Sequence, residues 1–377
     1  MGELAKCYPP GSLIVCTGEV PGGEAADQQL VNQVDRLALP SSRLRSLPGL
    51  LRWSRRSAAL ASRLPIEFIW CGNLKPAGYP ARWVRVRLGV PYGILLHGGD
   101  LLILRRQAER SGIKRRTARA LLASASVLVT NSLHTAALCR AILNDLQLQA
   151  AEGRVHTVPL GTDPQAFRPG LDQTAVRRRF GLEGRRWLLS VARLTRHKGI
   201  DVGIRVLGLL VREYPDLGYA VAGTGDELAA LQRLTASLGL SERVRFLGHV
   251  PDADLPQLYN SAEIYLGLSR LMEQRVEGFG ISLTEAAACG LPVVAGRTGG
   301  IPDAVGDNET GLLVDPEQPD QAAAAVKTLL DNPTLARRLG AAGRRRVEEY
   351  YNWGRVALDL AHLGHAYGKG RRLETAL

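Results

Sequence analysis

The stretch VEGFGISLTEAAACGLPVVAG, residues 276–296, joins a glycine-rich turn, a helix and a short apolar strand in one run. Gly278 and Gly280 give the turn backbone freedom and let the chain approach a ligand closely. A helix is expected to start near Ser282, and the N–H groups of Gly280, Ile281 and Ser282 at its start have no helical partner, so they attract an anion. Glu277 precedes that anion site and Glu285 follows one turn into the helix, so the two carboxylates can grip hydroxyls on opposite sides of a bound diphosphate. By itself, a Glu-x7-Glu pair reads rather as a helix with a capping carboxylate. The closing PVVAG is too short for a buried helix and reads as a buried strand.

The same rhythm extends in both directions. Apolar runs at 13–17, 66–70, 93–97, 127–130, 187–192, 219–223, 244–248 and 264–268 alternate with helix-like segments, which predicts parallel sheets covered on both faces. The rhythm pauses over residues 160–180, where GTDPQAFRPGLDQ is rich in turn formers. We therefore expect two doubly wound α/β domains, over residues 1–165 and 166–352, and a last amphipathic helix over 353–377 that returns to the first domain. Residues 318–349 read as two helices broken near Pro333, with Arg337, Arg338, Arg344, Arg345 and Arg346 on a solvated face.

A chain of 377 residues, 45% apolar and 22% charged, exceeds the ~250–300 residues at which single cores stop growing. Cys7, Cys16, Cys71, Cys139 and Cys289 are scattered and form no CxxC, so neither a disulfide framework nor a zinc site is expected. With no run of ~18 apolar residues and no leader-like N-terminus, a cytoplasmic protein is expected. Residues 1–165 carry 21 Lys+Arg against 11 Asp+Glu, and the remainder 27 against 25. A basic first half suits an anionic membrane, nucleic acid or an acidic substrate, or is simply a solvated Arg-rich surface. Arg52, Arg55 and Arg56, with Lys114, Arg115 and Arg116, favour an anionic lipid surface or lipid-linked acceptor, and no nucleic acid is expected.

The element that decides between the readings of Glu277 and Glu285 is SVARLTRHKGID, residues 190–201. Here Arg193, Arg196 and Lys198 follow a strand and precede a helix. The carboxyl end of a parallel strand is where open α/β sheets bind ligands, and cations placed there make an anion clamp. Arg196 and His197 also suit an ordinary surface loop. A cationic loop, a helix N-terminus and two carboxylates in one domain match a nucleotide diphosphate carrying a sugar.

On these residues the sequence resembles glycosyltransferase family 4, most closely its phosphatidylinositol mannosyltransferase-like branch. The resemblance covers nearly the whole chain and is densest over 155–315, in VHTVPLGTDPQAFRP, ARL-x3-KG, AGTGDE, FLGHVP, the Glu277–Glu285 motif and GGIPDAVGDNETGLLV. It implies the GT-B fold, two Rossmann-like domains facing across a cleft, and retaining transfer of a hexosyl group, with mannosyl from GDP-mannose the first to test. The acceptor is then lipid-linked, another glycan or a small molecule. Residue by residue it implies that Arg193 and Lys198 bind the donor diphosphate, that Glu285 binds the ribose and Glu277 the sugar hydroxyls, and that the backbone at Phe279, Gly280 and Ile281 lines the phosphates. Gly248 of FLGHVP joins this donor set, and Gly22 and Gly23 resemble the glycine-rich loop of the first domain. His97 in HGGD resembles the histidine beside the transferred sugar, which places His97, Glu277, Arg193 and Lys198 in catalysis. Asp100, Asn131 and Ser132 fall on the acceptor side, where Ser132 in VTNSLHT equally suits a helix cap.

The chain departs from the family between Gly23 and Ile66, where the usual second strand with its Gly-His-polar-Val pattern is missing. Asp252-Ala253-Asp254 imitates a metal-binding DxD, but GHVPDADLPQLYNSA reads as a turn feeding a helix that Asp caps. His362 and His365 lack a third ligand. No metal and no cofactor beyond the nucleotide sugar is expected. A nicotinamide-dependent oxidoreductase is the rival suggested by Gly223 and Gly225 of AGTGDEL, although Leu228 stands where GxGxxG needs its third glycine. A non-catalytic nucleotide-sugar or membrane-binding module is the other.

Overall fold

The computed structural model describes residues 2–28, 30–272 and 275–368. Two compact units emerge: residues up to Pro159 together with the helix Trp353–Ala366, and Leu160–Asn352. The turn-rich stretch after Leu160 packs within the second unit, because Arg344 Nη1 donates to the carbonyls of Pro164 at 2.9 Å, Phe167 at 2.6 Å and Ala288 at 2.8 Å. Arg344 is therefore a brace and not part of the solvated face expected for it, unlike exposed Arg337, Arg338, Arg345 and Arg346.

The first unit holds two parallel sheets. Strands β1 (Ile14–Glu19) and β2 (Gln33–Pro40) form one, and β3 (Ile69–Cys71), β4 (Tyr92–Leu96), β5 (Val127–Thr130) and β6 (Val155–Thr157) the other, in that order. Strand β2 corrects the expectation that the second strand is missing. It escapes notice because QVDRLALP has no continuous apolar run and its one buried side chain is Asp35. That carboxylate is neutralised by Arg56, whose Nε lies 3.0 Å from both oxygens. Arg56 is itself exposed, like Arg52 and Arg55, but its charge is engaged by Asp35. The run 66–70 yields strand only from Ile69.

The last helix, Trp353–Ala366, buries Val356, Ala357 and Leu360 with Leu4, Leu95, Val127 and Val129 of the first unit. Residues 369–377 of the expected helix lie outside the described residues. His362 and His365 are exposed on it, and the described residues contain no group of three His, Cys, Asp or Glu able to hold a metal ion.

The second unit is one six-stranded parallel sheet of β7 (Arg186–Val191), β8 (Leu217–Ala222), β9 (Val244–Gly248), β10 (Ile264–Gly267), β11 (Val293–Gly296) and β12 (Leu312–Val314). Its order is β12-β11-β10-β7-β8-β9. Numbered within the unit this is 3-2-1-4-5-6 from the β9 edge, the doubly wound order whose direction reverses between the first and fourth strands. Those strands are β7 and β10. Ser190 joins them by donating to the Leu266 carbonyl at 2.6 Å, and cores of aliphatic and aromatic side chains cover both faces. Apolar runs this continuous are what a sheet buried on both faces requires.

Candidate functional site

Open α/β sheets bind ligands outside the carboxyl ends of their strands at the reversal point. Here the chain leaving β7 carries Arg193 and Lys198, and the chain leaving β10 carries Ser269 and Glu277. A pocket with about 290 Å³ of open space lies between them, lined by Ala192, Lys198, Gly267, Ser269, Glu277 and Ser282 among others. The reversal point is therefore where Lys198 and Glu277 meet.

Lys198 Nζ forms an ion pair with Glu277 Oε2, and the Ser269 hydroxyl lies 3.4 Å from the same oxygen. Gly300 N–H donates to the Glu277 carbonyl at 2.9 Å. Gly299, at φ +55°, sits so close beneath that a Cβ there would come within 2.5 Å of the Glu277 carbonyl. Arg193 is exposed and makes no ion pair among the described residues. Arg196 is exposed as a surface loop requires, whereas His197 is 4% exposed and corrects that expectation. Its Nδ1 lies 3.1 Å from the Thr195 hydroxyl. Burial first, then the neighbouring Lys198 charge, pushes its pKa down to about 4, so it is a neutral packing group at neutral pH.

The helix expected near Ser282 runs Ile281–Ala288 with Gly280 at its N-cap, φ +101°. The amides of Gly280, Ile281 and Ser282 donate to no backbone carbonyl among the described residues. The Phe279 side chain is 1% exposed and packs edge-on against Tyr351, 5.6 Å between ring centroids. Only its backbone remains available to a ligand. Glu285 accepts a 2.7 Å hydrogen bond from buried Tyr259. Burial pushes the Glu285 carboxyl above its ordinary range, with Tyr259 pulling it down and Asp252 pushing it further up.

The glycines of AGTGDE act on the cation loop. Gly223, at φ +137°, would bring a Cβ within 1.9 Å of the Ala192 carbonyl, and Gly225 one within 2.3 Å of the Leu194 carbonyl. Leu194 N–H donates to Thr224 and Glu227 N–H to Leu194. These glycines thus let two loops lie flush and hold Arg193 in place. Gly248, at φ +67°, accepts the Gly223 N–H at 2.7 Å and faces open space. The expected Asp cap is not made: Asp254 occupies the N-cap of Leu255–Asn260 without a side-chain cap bond and pairs with Arg179 at 2.5 Å instead.

In the first unit, His97 N–H donates to Asp100 Oδ1 at 3.0 Å and His97 Nε2 lies 3.1 Å from the Gly72 carbonyl. Strand pairing sets Leu96 against Thr130, so His97 and Asn131 follow at neighbouring strand ends. Asp100 Oδ2 and Asn131 Oδ1 are buried and lack a hydrogen-bond partner among the described residues, and burial pushes the Asp100 carboxyl up while His97 opposes it. Ser132 is a helix cap, its hydroxyl accepting the Thr135 N–H at 3.1 Å. Gly22 has φ +72°, and Arg36 braces the loop by donating to the Gly18 carbonyl at 2.7 Å and the Gly23 carbonyl at 3.3 Å.

Sequence reasoning passed over Tyr259, Ser269 and Arg36. Tyr259 and Ser269 lie 26 and 8 positions from the carboxylates they touch, and no local pattern marks such pairs.

Comparison with known proteins fits this geometry. Residues 172–346 match the family described as Glycosyl transferases group 1, and residues 12–161 match a Glycosyl transferase 4-like domain. A GDP-mannose-dependent alpha-(1-6)-phosphatidylinositol monomannoside mannosyltransferase of Mycolicibacterium smegmatis is 39% identical over 209 residues, 55% of each chain. A D-inositol 3-phosphate glycosyltransferase of Corynebacterium jeikeium is 39% identical over 189 residues, 47% of this chain and 44% of that protein. The chain spans about half the length of the curated relatives it matches. Among solved structures, Anabaena HepE with UDP and glucose superposes with a TM-score of 0.76 at 21% identity, over 96% of this chain and 94% of that one. Sucrose-phosphate synthase of Thermosynechococcus elongatus gives 0.70 at 25%, over 89% and 83%. These likenesses show the fold to be that of the GT-B glycosyltransferases.

Proposed function

The chain belongs to the group 1 glycosyltransferases, and from that premise we propose that it moves a hexosyl group, with mannosyl the first to test, from a nucleotide-diphosphate sugar to a lipid-linked, glycan or small-molecule acceptor. One observation carries the reading: at the carboxyl ends of β7 and β10, Lys198 and Ser282, the latter at the start of the helix Ile281–Ala288, line one pocket with Glu277, and Arg193 lies on the same loop as Lys198. A pyrophosphate is the anion that such a mixed set of cations and amides suits. Glu285, backed by Tyr259, takes the ribose hydroxyls, and Glu277 the sugar hydroxyls.

In the proposed reaction the acceptor attacks from the face the diphosphate leaves, and the leaving group takes the acceptor proton, so configuration is retained. Arg193, Lys198 and the amides stabilise charge growing on the leaving oxygen, where preorganised groups act most strongly. His97 stands beside the transferred sugar, and Asp100 and Asn131 serve the acceptor side. No metal is needed for this charge balance. A thermal-shift screen of nucleotide sugars, followed by NMR of the product anomer, tests the proposal. No stabilisation by any nucleotide sugar, or an inverted product, defeats it.

Peripheral association with the cytoplasmic face of an anionic membrane is the companion proposal. It rests on Leu47 and Leu51, exposed on the helix Leu47–Arg63 beside exposed Arg52 and Arg55, and on Ile113, 77% exposed next to Lys114. Such apolar and basic neighbours suit a charged bilayer surface. Sedimentation with anionic vesicles at low and high salt is the test, and absence of binding at low salt disposes of it.

A further inference from the structure

We propose that Glu277 makes the site discriminate between a nucleotide sugar and the bare nucleoside diphosphate, by occupying Lys198 whenever no sugar is present. The inference rests on the donor reading above and adds a rule of preference to it. Lys198 is paired with Glu277, and both side chains are under one fifth exposed, 17% and 18%. No other carboxylate lies within ion-pair distance of Lys198 among the described residues. Glu277 thus stands where a phosphate oxygen is to bind.

A diphosphate that recruits Lys198 strips Glu277 of its cation. The Ser269 hydroxyl, 3.4 Å away, remains as a weak donor, and a half-buried carboxylate without its partner is costly. A donor sugar repairs this loss, because its hydroxyls donate to the freed carboxylate. A bare nucleoside diphosphate brings no such hydroxyl, and its terminal phosphate carries more negative charge toward Glu277. The carboxylate therefore opposes the product twice, through repulsion and through an unmet hydrogen-bonding demand, while it favours the donor. Specificity of this kind comes from building a penalty against the wrong ligand. After transfer, Glu277 recaptures Lys198 and helps expel the product.

The test compares wild type with Glu277→Gln by calorimetric titration, using UDP, GDP, UDP-glucose and GDP-mannose. Glu277→Gln is expected to bind the nucleoside diphosphate about ten-fold more tightly than wild type, since like-charge juxtaposition is removed, and the nucleotide sugar more weakly. Glu277→Ala provides the same comparison should the glutamine variant fold poorly, and unfolding midpoints monitor both. Wild-type nucleotide-sugar binding with equal or weaker diphosphate binding in both variants overturns the inference and leaves the donor reading standing. If no ligand binds wild type or variant, both fall together.

Discussion

Tyr259 donates its hydroxyl to Glu285 Oε2 at 2.7 Å, joining two helices of the second unit at the carboxylate assigned to the ribose. Burial holds the folded Glu285 carboxyl above its ordinary value of 4.5. A raised folded value means that the native state keeps the proton longer, so this contribution to stability is complete below pH 4.5 and is lost as pH rises through the folded value. Glu285→Gln is expected to gain on wild type from pH 4.5 upward, as read by urea unfolding at several pH values. Tyr259→Phe, which removes a group pulling the carboxyl down, is expected to carry the loss to higher pH. Parallel stability curves for wild type and Glu285→Gln contradict the assignment.

His197 has the opposite sign. Its folded value of about 4 lies below its ordinary 6.5, so the unfolded chain takes up a proton that the native state refuses. Its contribution is complete above pH 6.5 and is lost as pH falls toward 4. Replacement by Gln is expected to flatten that limb in thermal unfolding, and because the Glu285 window overlaps it, the two variants have to be measured separately.

Lys198→Ala is expected to lower kcat by roughly 10²–10³, the usual loss when one preorganised donor to a developing oxyanion is removed. Arg193, exposed and unpaired among the described residues, is expected to act more through donor affinity, so Arg193→Ala raises KM more than it lowers kcat. Steady-state transfer with the nucleotide sugar found by screening separates the two. Unchanged turnover in Lys198→Ala removes the residue from the chemistry.

Gly223→Ala tests the loop contact. A Cβ at φ +137° and 1.9 Å from the Ala192 carbonyl is expected to cost roughly 1–3 kcal/mol through backbone strain alone and to shift the Arg193 loop. Donor binding then weakens although Gly223 touches no ligand in this scheme. Retained affinity for the nucleotide sugar, measured by calorimetry, shows that the flush packing does not position Arg193.

Transfer is expected to persist in excess chelator, because cations and amides carry the charge of the leaving diphosphate. Loss of activity with chelator and recovery with magnesium is the result that contradicts this.

Much of the second unit can be read directly from its residues. Continuous runs such as WLLSVA and YAVAG are long and apolar enough to declare buried parallel strands, and Gly280 before ISLTEA declares a helix start. Strand β2 cannot be read this way, because its burial is mixed and the charge of its polar core residue, Asp35, is met by Arg56, 21 positions away. Likewise DADL looks like a cap because local chemistry favours one, and Arg179, 75 positions away, takes the carboxylate instead.

What the sequence alone determines about this protein is therefore the alternation of strands and helices and the residue types at the carboxyl ends of β7 and β10, because both depend on neighbours a few positions apart. Only the tertiary structure decides that Lys198 closes on Glu277, that Tyr259 backs Glu285 and that Gly223 carries the Arg193 loop. Those pairings arise from sheet order, which brings distant segments to one reversal point, and sheet order is a property of the whole packed unit.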